Sequence, residues 1–136
     1  MKRKVLLSGT VLMLLLTSMF ASAFNIQPVK SEWTGTVYIR ADGRIDPPDA
    51  PIVTYDNVTY TLTGNIRSTA DGIVVERNGI VIDGAGHTIE GVSGGFGIFV
   101  YGSINVTIRN VNVIRFACGI ELFSGSINNN IIGNTI

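Results

Sequence analysis

Past Met19 the chain has no methionine, and in all of its 136 residues there is one histidine, His87, and one cysteine, Cys118. A single cysteine excludes a small fold stapled by disulfides, which needs an even set. Copper sites draw on His, Cys and Met; one of each of two ligand types, on different segments, gives no copper set. Charge is sparse too, at 15% Asp, Glu, Lys and Arg. No basic face is present, which excludes a nucleic-acid partner. Beyond the N-terminus no run has helical period long enough to define a helix. What remains is short β-branched runs punctuated by Gly, Asn and Asp, the pattern of an all-β protein.

The N-terminus is of a different kind. Lys2, Arg3 and Lys4 precede an almost wholly apolar stretch, Val5 to Phe20, and Ala21-Ser22-Ala23 follows as a cleavage signal. Residues 1–23 are therefore expected to be a secretory signal peptide. Removing them leaves 113 residues with 7 Lys and Arg against 10 Asp and Glu, a net charge of −3. An uncleaved anchor is the alternative, but the apolar stretch is near the lower length limit for crossing a bilayer. On this reading the membrane matters only during export, and the mature chain is extracellular or at the cell surface.

Residues 24–59 are expected to form a leader and an N-terminal capping segment. Within them Trp33 to Ile39 (WTGTVYI) alternates and reads as one strand. RADGRIDPPDAPI follows, with Asp42-Gly43 as a turn and Pro47, Pro48 and Pro51 opposing regular ladder bonding. Residues 60–136 are expected to be repeating coils. YTLTGNI is one strand broken at Gly64-Asn65. Then GIVVE from 72, GIFVY from 97 and GIELF from 119 begin alike, 25 and 22 residues apart. Each is followed by a turn, an Asn and a second β-branched run, in which Ile82, Ile108 and Ile132 recur. A period in the low twenties marks a solenoid, and the Leu frame of leucine-rich repeats is absent. Alternation places Ile73/Val75, Ile98/Val100 and Ile120/Leu122 on one aliphatic inner face. Val74/Glu76, Phe99/Tyr101 and Glu121/Phe123 face out. Asp83-Gly84-Ala85-Gly86 is a corner between strands, not a phosphate loop, since no helix start follows.

VYIRADGRIDPPDAPI, YTLTGNI, IVIDGAGHTIEG, NVTIRNVNV and NNNIIGNTI resemble secreted right-handed parallel β-helix proteins of archaeal type, within the pectin-lyase-like superfamily. They are similar to the β-helix domain of NosD-type copper-related proteins and to carbohydrate-binding and sugar-hydrolase repeat domains. The resemblance covers roughly residues 36–136 and implies a right-handed parallel β-helix. It also implies a polysaccharide as partner or substrate. Members usually have more coils; here the chain stops at Ile136 in mid-repeat, and a truncated chain or fragment is expected, with a self-associating edge as the alternative.

Glycoside hydrolysis needs two carboxyls across the scissile bond. Among the acids of the repeats, Asp71, Glu76, Asp83, Glu90 and Glu121, only Glu76 and Glu121 share an outward sheet, in different columns. Asn110 is expected at the place equivalent to Asp83 one coil on. These residues form no catalytic cluster and call for no cofactor or metal. Tyr101 and Phe123 lie one repeat apart, beside Phe99, all pointing outward. Stacked coils would bring the first two rings to about 5 Å, a platform for the apolar faces of sugar rings. The competing reading covers them with the Gly91–Phe96 loop or with further coils. The Asn-rich corners read as left-handed turns with side chains hydrogen-bonding along the stack. Asn57-Val58-Thr59 and Asn105-Val106-Thr107 match the glycosylation acceptor motif. The expected function is a surface module, structural or carbohydrate-binding. One alternative is the N-terminal part of a polysaccharide-active enzyme; another is a structural protein that self-associates through its open coil.

Overall fold

Runs of two to six β-forming residues alternate with corners in which Gly, Asn, Ser, Ala or Arg takes a positive φ. A chain of that pattern turns every few residues and cannot build long strands. The computed structural model describes residues 31–136; the expected signal peptide and residues 24–30 of the leader lie outside them. The strands are β1 (Trp33–Thr34), β2 (Val37–Ile39), β3 (Ile45–Asp46), β4 (Ile52–Thr54) and β5 (Thr59–Leu62). They continue as β6 (Ile66–Arg67), β7 (Ile73–Val75), β8 (Val81–Asp83), β9 (Thr88–Glu90) and β10 (Phe96–Tyr101). The last four are β11 (Thr107–Arg109), β12 (Asn112–Ile114), β13 (Cys118–Phe123) and β14 (Asn130–Ile132).

Three sheets collect these strands. Sheet A orders β1-β6-β9-β12, sheet B β13-β10-β7-β2-β3 and sheet C β14-β11-β8-β5-β4. The chain visits A, B and C in turn, so each strand lies parallel to its equivalent in the next rung. The result is a β-solenoid of about three turns with no helix among the described residues. Ladder bonds run between rungs, as where the Glu76 N–H donates to the Ile39 carbonyl at 2.9 Å.

Register explains the aliphatic positions. Val37, Ile73, Ile98 and Ile120 form one inner column of sheet B. Tyr60, Ile82, Ile108 and Ile131 form one of sheet C. Trp33, Ile66, Ile89 and Val113 form that of sheet A. The central members are wholly buried, and each such aliphatic side chain is worth about 1.5–3 kcal/mol.

The glycines that open GIVVE, GIFVY and GIELF are fixed by this packing. Gly72, Gly97 and Gly119 stand at the A-to-B corner. A Cβ there would collide respectively with Ile89 and Val113 of sheet A and with Ile136, next to the Thr135 bridge on β12. At Gly72 and Gly97 it would also strike the carbonyl of the next glycine in the column.

The capping segment differs from its expected form. Trp33 to Ile39 is two strands in two sheets, because the chain bends at Gly35 (φ 142°) between them. The following segment does bond regularly. β3 pairs antiparallel with β2, and β4 antiparallel with β5. Its prolines stand between these strands, where no ladder N–H is needed. Two further positions shift. Ile131, not Ile132, stacks on Ile108: the corner before β14 is one residue longer than the one before β11, where stacking of Ile132 would need two. Arg109, not Asn110, is the rung partner of Asp83.

Candidate functional site

The candidate residues lie on the outer face of sheet B. With Ile98 and Val100 turned inward, Phe99 and Tyr101 of β10 must turn out. In β13 the same alternation turns Glu121 and Phe123 out. Register sets Phe99 beside Val74 and Glu121, and Tyr101 beside Phe123. Glu76, one residue beyond the paired Val75, occupies the Tyr101 column one rung earlier.

The three rings named from sequence come together. Centroid separations are 6.1 Å for Phe99–Tyr101, 6.2 Å for Phe99–Phe123 and 6.0 Å for Tyr101–Phe123. They form a near-equilateral triangle. The Tyr101 and Phe123 planes lie within 25° of each other, while Phe99 is tilted 49° and 38° from them. The surface is therefore a shallow angle of rings, not a flat table. Tyr101 is 54% exposed and Phe123 53%, whereas Phe99 is half-buried.

A fourth ring was missed. Phe96 stacks on Phe99 at 4.9 Å with planes 17° apart. Gly97 and Ile98 both face inward at the corner, which slips the alternation by one and brings Phe96 to the outer side. The signal was the inward glycine itself. Phe96 thus covers one edge of the platform, as the competing reading expected of its loop, and leaves Tyr101 and Phe123 open.

The polar border is acidic. Arg40 donates to Asp46 at 2.6 and 3.0 Å and to Glu76 at 3.0 Å, and its guanidinium lies 4.1 Å over the Tyr38 ring. Glu121, half-buried, accepts from the Cys118 thiol at 3.5 Å and has no cation in ion-pair range among the described residues. Burial pushes the Cys118 thiol above its ordinary range, and the Glu121 carboxylate pushes it further. Cys118 is thereby kept protonated and weakly nucleophilic.

Elsewhere the acids are engaged. Asp83 accepts from the Ala85 N–H at 2.9 Å and pairs with Arg109 at 2.9 Å. Burial pulls its carboxyl upward, but the Ala85 N–H, the Asn110 amide and Arg109 together hold it below the usual range. Glu90 pairs with Arg115 at 2.8 Å on the A side. His87 follows the Asp83 corner, half-buried, with its backbone N–H on the Gly84 carbonyl. Among the described residues no three His, Cys, Asp or Glu side chains gather as a metal set. A cleft of about 240 Å³ at Thr34, Gly35, Arg67, Ser68 and Thr69 carries Arg67 as its charged group.

The Asn corners bond to backbone of the neighbouring rung, apart from Asn110, whose amide donates to Asp83 at 3.3 Å. Asn129 accepts from the Val106 N–H and donates to the Ser103 carbonyl; Asn134 does the same with Val111 and Ile108. At the start of sheet C, Asn57, Gly79, Asn105 and Asn128 form one column, with φ of 55°, 65°, 56° and 56°. Both acceptor motifs begin on this column, with Asn57 and Asn105 exposed.

No family model matches the chain, and no curated protein or solved structure matches it either.

Proposed function

We propose that the chain is a secreted or cell-surface β-solenoid module that holds a saccharide chain on the outer face of sheet B. The observation that carries this reading is the triangle of Phe99, Tyr101 and Phe123, set by register and half open to solvent. Exposed aromatic rings at fixed spacing offer apolar faces to sugar rings, and a contiguous exposed patch of this kind marks a binding surface. Kinship with pectin-lyase-like and carbohydrate-binding repeat proteins belongs to the same proposal and rests on the sequence motifs alone. So does glycan attachment at Asn57 and Asn105, which stand exposed at left-handed turns before a Thr two residues on.

The test is calorimetric titration of the folded chain with soluble polysaccharides, beside Tyr101→Ala and Phe123→Ala. Each variant is expected to weaken binding about tenfold with unchanged circular dichroism. Binding that survives both substitutions would remove the platform from the function.

A further inference from the structure

We infer that the saccharide held on sheet B is neutral or amine-bearing, and that uronate or sulfated chains are excluded. This deepens the proposed carbohydrate role and depends on it. The ring triangle is bordered at opposite corners by carboxylates. Glu121 stands beside Phe99 on the rung after it, and Glu76 stands in the Tyr101 column on the rung before. The cation on this face, Arg40, is shared between Asp46 and Glu76 and tucked over Tyr38. Arg77, next along the chain, donates instead to the Ala41 carbonyl at 3.1 Å. Glu90 and Arg115 neutralise each other on sheet A. The platform therefore presents one cation against three carboxylates, with Glu121 unneutralised among the described residues.

The charge pattern decides between classes of sugar. A pyranose resting on rings about 6 Å apart brings its hydroxyls within reach of the flanking residues. Hydroxyls donate to ionised carboxylates in the stronger, charge-assisted kind of hydrogen bond. An ammonium on the sugar would pair with Glu121. A sugar carboxylate or sulfate would lie well inside the screening length of about 8 Å from Glu121, which no cation pairs with among the described residues. Like charges so placed discriminate against the wrong partner more than they weaken the right one.

The experiment titrates the full folded chain with hydroxyethylcellulose, chitosan oligomers and polygalacturonate at low and high salt, using the wild type, Glu121→Gln and Tyr101→Ala. The wild type should bind the neutral and amine-bearing polymers and take polygalacturonate at least about tenfold more weakly, the gap narrowing with salt. Glu121→Gln should weaken chitosan binding about fivefold and raise that of polygalacturonate. Preference of the wild type for polygalacturonate, lost in Tyr101→Ala but unmoved by Glu121→Gln, would overturn this inference and leave the carbohydrate role standing. Absence of binding to all three polymers would overturn both.

Discussion

On the inner face of sheet B one column reads Val37, Ile73, Ile98, Ile120, and the next reads Ile39, Val75, Val100, Leu122. On the outer face the matching columns read Tyr38, Val74, Phe99, Glu121 and Arg40, Glu76, Tyr101, Phe123. The same strands, at the same spacing, carry one chemistry within and a different one on each rung without. Inside, every rung must offer the shape that its neighbours require, because close-packed interiors register even one methylene. Outside, the ladder makes no such demand. A ring or a carboxylate there is not dictated by the inner packing, and the proposed saccharide surface lies on that face.

The sharpest way to break this comparison is at the corner. Gly97→Ala would drive a methyl into Val113 and the Gly119 carbonyl. It should cost about 3 kcal/mol or more, read as a lowered urea midpoint. A stability change within error would mean that the corner glycines are not set by packing. The next contrast uses adjacent residues. Ile98→Ala, at a wholly buried site, should cost about 2–5 kcal/mol. Phe99→Ala, half-buried on the other face, should cost about 1 kcal/mol or less while reducing polysaccharide binding. Equal costs would turn the outer rings into core and end their candidacy as a site.

Smaller effects sharpen the picture. Asn105 holds φ at 56°. Asn105→Gly should be close to neutral and Asn105→Ala should cost about 1 kcal/mol, seen as a shift in thermal midpoint. The pH dependence has two arms. Asp83 is held below its ordinary value, so its contribution is present above about pH 4 and lost as pH falls through the lowered folded value. Asp83→Asn should flatten the acid side of the stability profile. Tyr60 is raised by burial, and its hydroxyl donates to the Gly43 carbonyl at 2.7 Å. Its contribution is complete below about pH 10 and lost as pH rises through the raised folded value. Tyr60→Phe should flatten the alkaline side.

How much of this was legible in the sequence follows from the same contrast. The rungs of sheet B could be read because an inner column repeats, and Ile73, Ile98 and Ile120 align by eye. Phe99, Tyr101 and Phe123 could be placed once that frame was set. The sheet C register slipped at β14, where NNNII offers two Ile and three Asn with no unique frame. Hydrogen bonding chose Ile131. The antiparallel pairs β2–β3 and β4–β5 were not legible. Their partners, Tyr38 with Asp46 and Ile52 with Leu62, occur once each, so no periodicity announces them. Trp33 to Ile39 read as one strand because alternation passes unbroken through a corner that only Gly35 marks. Phe96 was read only as the end of a covering loop, and not as a fourth ring, because two successive inward positions upset the count.

The corner glycines also bear on how such a chain grows. Each rung brings both a notch, at Gly72, Gly97 or Gly119, and a peg for the notch behind it, Ile89, Val113 or Ile136. A duplicated segment of some two dozen residues therefore arrives already fitted to its own copy. Lengthening by tandem copying needs no compensating change in the interior, and each new copy is free at once to acquire a different exterior.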